Sequence, residues 1–222
     1  VRSTGRKTVV FSPYLIPRVA ILDPELTRTM PPKTTAATGF DALTHCLEAF
    51  VSKGDHPMAD AVAVGGLELV ARHLADAVAR GDDLDARGGM MKAAMMGAVA
   101  FQKGLGACHS LAHPLSSECG LHHGLANSLC LPAVVEWNEG AAHERLGRVA
   151  RIFGSNGSAG SCATVLRELR AKVGLPSTLS EVGVRRDQLG KLADLAILDA
   201  CHASNPRPCK REDLLALYER SF

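Results

Sequence analysis

In the stretch TTAATGFDALTHCLEAFVS, residues 34–52, Phe40, Leu43, Leu47 and Phe50 are spaced three, four and three apart. That rhythm lines one face of an α-helix and cannot be laid on one face of a strand. Helical patterning continues for most of the chain. MADAVAVGGLELVARHLADAVAR (58–80) is a second helix closed by GDD, and DDLDARGGMMKAAMMGAVAF (82–101) a third, with Asp82 or Asp83 as its N-cap. GLANSLCLPAVVEWN (124–138) is predicted to kink or restart at Pro132. AAHERLGRVARIFG ends on Gly154 and SAGSCATVLRELRAKVG on Gly174, as helices closed by glycine do. RRDQLGKLADLAILDACHAS (185–204) and KREDLLALYERSF (210–222) finish the chain, with NPRP as the break between them. Composition agrees: 46% of residues are hydrophobic but only 4% aromatic, which suits close-packed helices better than a β-sandwich.

Residues 1–30 differ. KTVVF (7–11) and RVAIL (18–22) are short β-branched runs around the Pro-bracketed turn SPYLIP, and read as two strands. LDPELTRTMPP reads as a loop with one helical turn. The predicted fold is mainly α: a strand-containing edge over residues 1–30, then an all-helical domain over 31–222. The opening VRSTGRKTVVF has no initiator Met and reads as the middle of a fold, so a fragment is expected.

Several function classes are excluded. Net charge is +2 with dispersed basic residues, which is no footprint for nucleic acid. No apolar run reaches the ~18 residues of a membrane span, and no signal peptide opens the chain. Seven cysteines, without a C-x-x-C pair, sit mostly in apolar helical segments. Free thiols in a reducing cytoplasm are the expectation.

The chemistry-bearing residues fall in two segments. Asp41 and His45 are four apart on a helix, so both leave one face, about 5–6 Å apart at Cβ. That face is otherwise apolar, and unpaired buried charge is costly. The two can pair with each other or bind one cation. In GACHSLAHPLSSECGLHHGLANSL (106–129), His109 and His113 are again four apart. Pro114 disfavours helical geometry at His113, so the helix is predicted to end or kink there. Ten residues later His123 precedes Gly124, which permits a turn or a close approach. One carboxylate with two or three imidazoles suits a divalent ion such as Fe²⁺ or Zn²⁺. A competing set, Cys108, Cys119, His122 and His123, reads as a closed structural zinc site in a non-enzymatic helical module. Its Cys-x10-Cys-x2-His-His spacing is not that of a standard finger, and it leaves Asp41 and His45 unexplained.

VAILDPELTRTMPP, TGFDALTHCLEAFVS, AFQKGLGACHSLAHPLSSECGLHHGLANSLCLPAVVEWN and SNPRPCKREDL, in that order, resemble the iron-containing (group III) alcohol dehydrogenases. The resemblance covers nearly the whole chain. It implies the C-terminal helical domain of the dehydroquinate synthase-like fold, with metal in a cleft against an N-terminal α/β dinucleotide-binding domain. Carried over, the metal ligands are Asp41, His45, His109 and His123. His113 matches an active-site histidine that does not bind metal, and His122 is a neighbour pointing elsewhere. The implied activity is hydride transfer between a small alcohol or aldehyde and NAD or NADP, with Fe²⁺ or Zn²⁺ polarising the substrate oxygen and a homodimer as one possible assembly. The family's Gly-Gly-Gly-Ser loop and Thr-Gly-Thr-Gly-Ser-Glu segment do not occur in these 222 residues. This chain is therefore expected to supply the metal-binding half, the alternative being an inactive fragment. A metal-free branch that reduces maleylacetate lacks these ligands, whereas all four are present here. Ser116 replaces a usual Gly and is expected to alter a turn at most. Phe101, Lys103 and Leu105 have two readings, as lining of the substrate pocket or, the one preferred, as ordinary packing for Phe101 and Leu105 and a solvated side chain for Lys103; His202 reads as a surface or cap residue.

Overall fold

A computed structural model describes residues 12–222 of the chain. Nine α-helices are present among them, joined by short 3-10 turns: α1 Pro32–Val51, α2 Pro57–Ala79, α3 Leu84–Ala100, α4 Ala107–Glu118, α5 His123–Asn138, α6 His143–Ile152, α7 Gly160–Lys172, α8 Leu189–Ala196 and α9 Arg211–Ser221. The predicted helical register of α1 holds, with Phe40, Leu43 and Leu47 at most 2% exposed. Each such side chain contributes about 1.5–3 kcal/mol through burial. Helices α1, α2 and α3 pack mutually, α5 packs on α1 and α4, and α7 and α9 cover α5. The core is continuous through these contacts. No helix among the described residues is long and apolar enough to cross a membrane.

Local signals set several boundaries. Asp83 is the N-cap of α3, accepting from the Ala86 N–H at 2.9 Å. α6 and α7 close on Gly154 and Gly174, at φ +89° and +73°. Behind Gly174 the Leu175 N–H bonds Arg170 O at 3.1 Å, and behind Gly154 the Ser155 N–H bonds Ala150 O at 3.0 Å. Both glycines take left-handed geometry that a side chain would strain.

KTVVF lies outside the described residues. Four expectations change. RVAIL forms no strand: no neighbouring strand exists among the described residues to satisfy its backbone, and Val19 and Ile21 are 73% and 85% exposed. Pro132 does not restart a helix, for α5 runs through it. The carbonyl that Pro132 cannot bond, Ser128 O, instead accepts from buried Arg170 Nη1 at 3.1 Å. α4 likewise continues past Pro114 to Glu118, so Ser116 is helical and alters no turn. The segment 185–204 is not one helix. It breaks after Ala196, and extended Asp199 caps the following turn by accepting from the Cys201 N–H.

Candidate metal centre

Three helices supply the centre. α1 presents Asp41, His45 and Glu48 at i, i+4 and i+7, all on one face. α4 presents His109 and His113. α5 begins at His123 and carries Asn127 one turn later. α1 and α5 meet closely because position 124 is glycine. A Cβ there would fall inside van der Waals distance of the Ala37 carbonyl, so any other residue would push the start of α5 off α1.

Asp41 Oδ1 is the focus. It lies 3.4 Å from His123 Nε2, 3.8 Å from His109 Nε2 and 3.9 Å from His45 Nε2. The donor atoms of Asp41, His109 and His123 all lie within 4.8 Å of one another. His45 stands at the edge of that set, its ring stacked on His109 with centroids 4.7 Å apart. Asn127 Nδ2 donates to Asp41 Oδ1 at 2.8 Å. All four residues assigned as ligands by resemblance are thus brought together from segments up to 82 positions apart.

The residues behind the cluster fix its orientation. Glu48, 2% exposed, accepts from the Gly106 N–H at 3.1 Å and the Cys108 N–H at 2.7 Å, and so caps the start of α4. Its Oε2 also lies 2.6 Å from His109 Nδ1. A proton on Nδ1 leaves the Nε2 lone pair facing Asp41, the arrangement in which a metal-binding histidine is held by a carboxylate. The donor set fits a divalent ion of the iron or zinc type: oxygen and imidazole nitrogen converge on one point, and a buried carboxylate lies against the far ring nitrogen of one of the imidazoles.

His113 stays out of this set, its ring stacked on His123 at 5.2 Å. His113 Nδ1 lies 2.7 Å from Asp199 Oδ2. Asp199 Oδ1 accepts from Ser110 Oγ and from the Cys201 N–H, each at 2.9 Å. Partial burial pushes the Asp199 carboxyl up, but the hydrogen bonds from His113, the Cys201 amide and Ser110 outweigh it and hold the group well below the usual carboxylate range.

Glu48, Asn127 and Asp199 escaped sequence reasoning. Glu48 and Asn127 had a local signal, since they follow Asp41 by seven residues and His123 by four. Asp199 had none. The cysteine-containing alternative is not assembled. Cys108 is buried with Sγ toward Asn127 O at 3.4 Å, Cys119 lies at the far end of α4, and no cluster of ligand atoms among the described residues contains Cys108, Cys119 or His122. Phe101 packs on His45 at 5.1 Å between centroids. Lys103 is not solvated: its side chain is 1% exposed and its Nζ pairs with Asp60 Oδ1 at 2.5 Å and Phe50 O at 3.2 Å. His202 is half-buried, its N–H on Ser110 Oγ and its ring against Ile197 O.

Residues 35–222 match the family described as "Fe-containing alcohol dehydrogenase family, C-terminal". The chain belongs to the iron-containing alcohol dehydrogenase family. It is 40% identical to the 4-hydroxybutyrate dehydrogenase of Cupriavidus necator, the match covering 98% of this chain and 59% of that protein. It is 37% identical to the NAD-dependent methanol dehydrogenase of Bacillus methanolicus, over 97% of this chain and 59% of that one. The crystal structure of sulfoacetaldehyde reductase from Bifidobacterium kashiwanohense in complex with NAD⁺ superposes with a TM-score of 0.90 at 31% identity, covering 99% of this chain and 58% of that one. The nine helices therefore correspond to the helical domain of iron-containing alcohol dehydrogenases, and the chain spans somewhat over half the length of these relatives.

Proposed function

We propose that this iron-containing alcohol dehydrogenase chain supplies the metal-binding half of an NAD- or NADP-dependent enzyme that interconverts a small alcohol and its aldehyde. The observation that carries this is the approach of three imidazole Nε2 atoms to 3.4–3.9 Å from one oxygen of Asp41. Residues 31–222 are the metal-binding unit, and residues 1–30 belong to the edge of a dinucleotide-binding unit. The exposed apolar side chains of Tyr14, Ile16, Val19 and Ile21 support that division, because they are surface that a neighbouring unit would cover.

Asp41, His45, His109 and His123 are the ligands in this reading. When bound, the metal supplies Lewis acidity toward the alcohol oxygen and the nicotinamide supplies the hydride acceptor. Asp41 contributes the negative charge that compensates a cation. The three imidazoles bind in their neutral form, so affinity falls as acid protonates them. Glu48 holds His109 in the competent tautomer, and Asn127 holds Asp41. His113, with Nδ1 engaged by Asp199, has its Nε2 on the opposite side of the ring, where it can take up and return a proton.

Metal analysis of anaerobically purified protein, alongside alcohol oxidation with NAD and NADP, tests the reading. About one iron or zinc ion per chain is expected at the Asp41 cluster, and that ion is lost in His45→Ala and His123→Ala and kept in Cys108→Ser. Absence of stoichiometric metal refutes the site. Metal without NAD(P)H formation supports the site and leaves an inactive fragment as the account of this chain. In an active enzyme, His113→Ala with unchanged turnover and pH profile removes the role given to His113.

A further inference from the structure

Outside the Asp41 cluster, one other group of ligand-type atoms converges among the described residues. An imidazole nitrogen of His113, a carboxylate oxygen of Asp199 and Cys201 Sγ all lie within 4.8 Å of one another. They come from α4 and from the turn that follows α8, and the break after Ala196 is what aims that turn at α4. We propose that His113, Asp199 and Cys201 form a second divalent-metal site, distinct from the Asp41 cluster and selective for thiophilic ions of the Zn²⁺ and Co²⁺ type.

Three features carry the proposal. The first is donor chemistry. One nitrogen, one oxygen and one sulfur make a set that favours borderline ions over Mg²⁺ or Ca²⁺, and three protein ligands leave a fourth position for water. Zinc bonds of about 2.0–2.3 Å in tetrahedral geometry place such donors roughly 3–4 Å apart. His113 Nδ1 and Asp199 Oδ2 already stand 2.7 Å apart, and all three donor atoms lie within 4.8 Å of one another. The second feature is support behind the ligands. Asp199 Oδ1 is already anchored by Ser110 Oγ and the Cys201 N–H, and Ser110 Oγ is itself held by the His202 N–H at 2.8 Å. Oδ2 remains directed at His113. Prior orientation of a carboxylate ligand is what an outer shell of hydrogen bonds provides. The third is access. A cavity of about 160 Å³, lined by His113, Pro114, Leu198 and Asp199 among others, opens onto the pair, and all three ligands are only partly buried.

Binding has a definite proton balance. The ion replaces the hydrogen bond between His113 and Asp199. The imidazole proton moves from Nδ1 to Nε2 and stays on the ring, the Asp199 carboxylate has no proton to lose, and the Cys201 thiol releases one. One proton is therefore set free per ion bound when the imidazole starts neutral. An ion held here also immobilises His113. Inhibition by excess zinc would follow from that, a consequence that rests on the catalytic reading of His113; the site itself does not depend on that reading.

Cobalt titration of the metal-free chain under anaerobic conditions tests the site, because only a thiolate ligand produces the near-ultraviolet sulfur-to-cobalt charge-transfer band. The Asp41 cluster contains no sulfur and is silent in that band. The band is expected in the wild-type chain, to persist in Asp41→Asn, Cys119→Ser and Cys209→Ser, and to be lost in Cys201→Ser, with circular dichroism unchanged. Asp199→Asn should weaken the cobalt affinity read from the band at least tenfold. No band at saturating cobalt overturns the proposal, as does a band of undiminished intensity in Cys201→Ser. Loss of the band in Asp41→Asn also overturns it, since sulfur would then belong to the first centre. Failure of the alcohol dehydrogenase reading would appear separately, as absent NAD(P)H formation with the cobalt band intact.

Discussion

Replacing Glu48 by Gln changes shape little and changes the donor pattern decisively. Glu48 Oε1 accepts from the Cys108 N–H, while Oε2 faces the Gly106 N–H at 3.1 Å, the His109 N–H at 3.4 Å and His109 Nδ1 at 2.6 Å. Every partner on backbone is a donor. An amide has one oxygen and one NH₂, so it can satisfy only one side. With its oxygen toward His109, the NH₂ opposes the Cys108 N–H. With the NH₂ toward His109, it opposes two backbone N–H groups and drives the imidazole proton onto Nε2, where it blocks the atom facing Asp41. Both side chains are 2% exposed, so water does not repair the mismatch. Loss of such a ligand-orienting partner lowers metal affinity about 10- to 100-fold. That range corresponds to roughly 1.4–2.7 kcal/mol. The capping bonds to α4 are weakened as well, at a further cost of about 1–3 kcal/mol in folding stability. Competition against a chromophoric chelator reads the first effect, and denaturant unfolding of the metal-free protein reads the second. Glu48→Gln with metal affinity within twofold of wild type would refute the argument that Glu48 sets the His109 tautomer.

Gly124→Ala places a methyl group against the Ala37 carbonyl; a stability loss of about 1–3 kcal/mol and weaker metal binding are expected, read by thermal melts and chelator competition. Arg170→Leu leaves Ser128 O without its partner and should destabilise the chain by about 1–3 kcal/mol, but by clearly less in a Pro132→Ala background, where the helix supplies a backbone N–H; an additive double-mutant cycle would contradict this. Burial pushes the thiols of Cys46, Cys130 and Cys162 up to about 12. Their folded-state pKa is raised, so the stability they confer is complete below the unfolded value of about 8.5 and is lost as pH rises from there toward about 12. Denaturation midpoints should fall steadily between about pH 8.5 and the onset of alkaline unfolding, and these three thiols should resist a thiol reagent in the native state while the partly exposed Cys119 and Cys201 react.

Much of this architecture is written in local pattern. Spacing of three and four predicts the helices, because burial of one stripe is available to any segment with that period. Asp83, Gly154 and Gly174 mark their ends through side-chain and backbone properties that need no distant partner. The i, i+4 spacing of Asp41 with His45 puts both on one face whatever surrounds them. Local rules misread the prolines for an equally physical reason. A proline removes one hydrogen bond, and whether the helix survives depends on what meets the orphaned carbonyl. At Pro132 that is an arginine 38 residues away in sequence.

For this chain, then, sequence alone indicated the helical class and most helix ends, since periodicity and residue chemistry act over a turn or two, while the family resemblance pointed to the three histidines that approach one oxygen of Asp41. Only the tertiary structure decided which groups stand behind them. Glu48 reaches His109 across 61 positions and Asp199 reaches His113 across 86, and no pattern of neighbours encodes an approach of that span. The same holds for Cys201: it was one cysteine among seven until the break after α8 turned it toward His113.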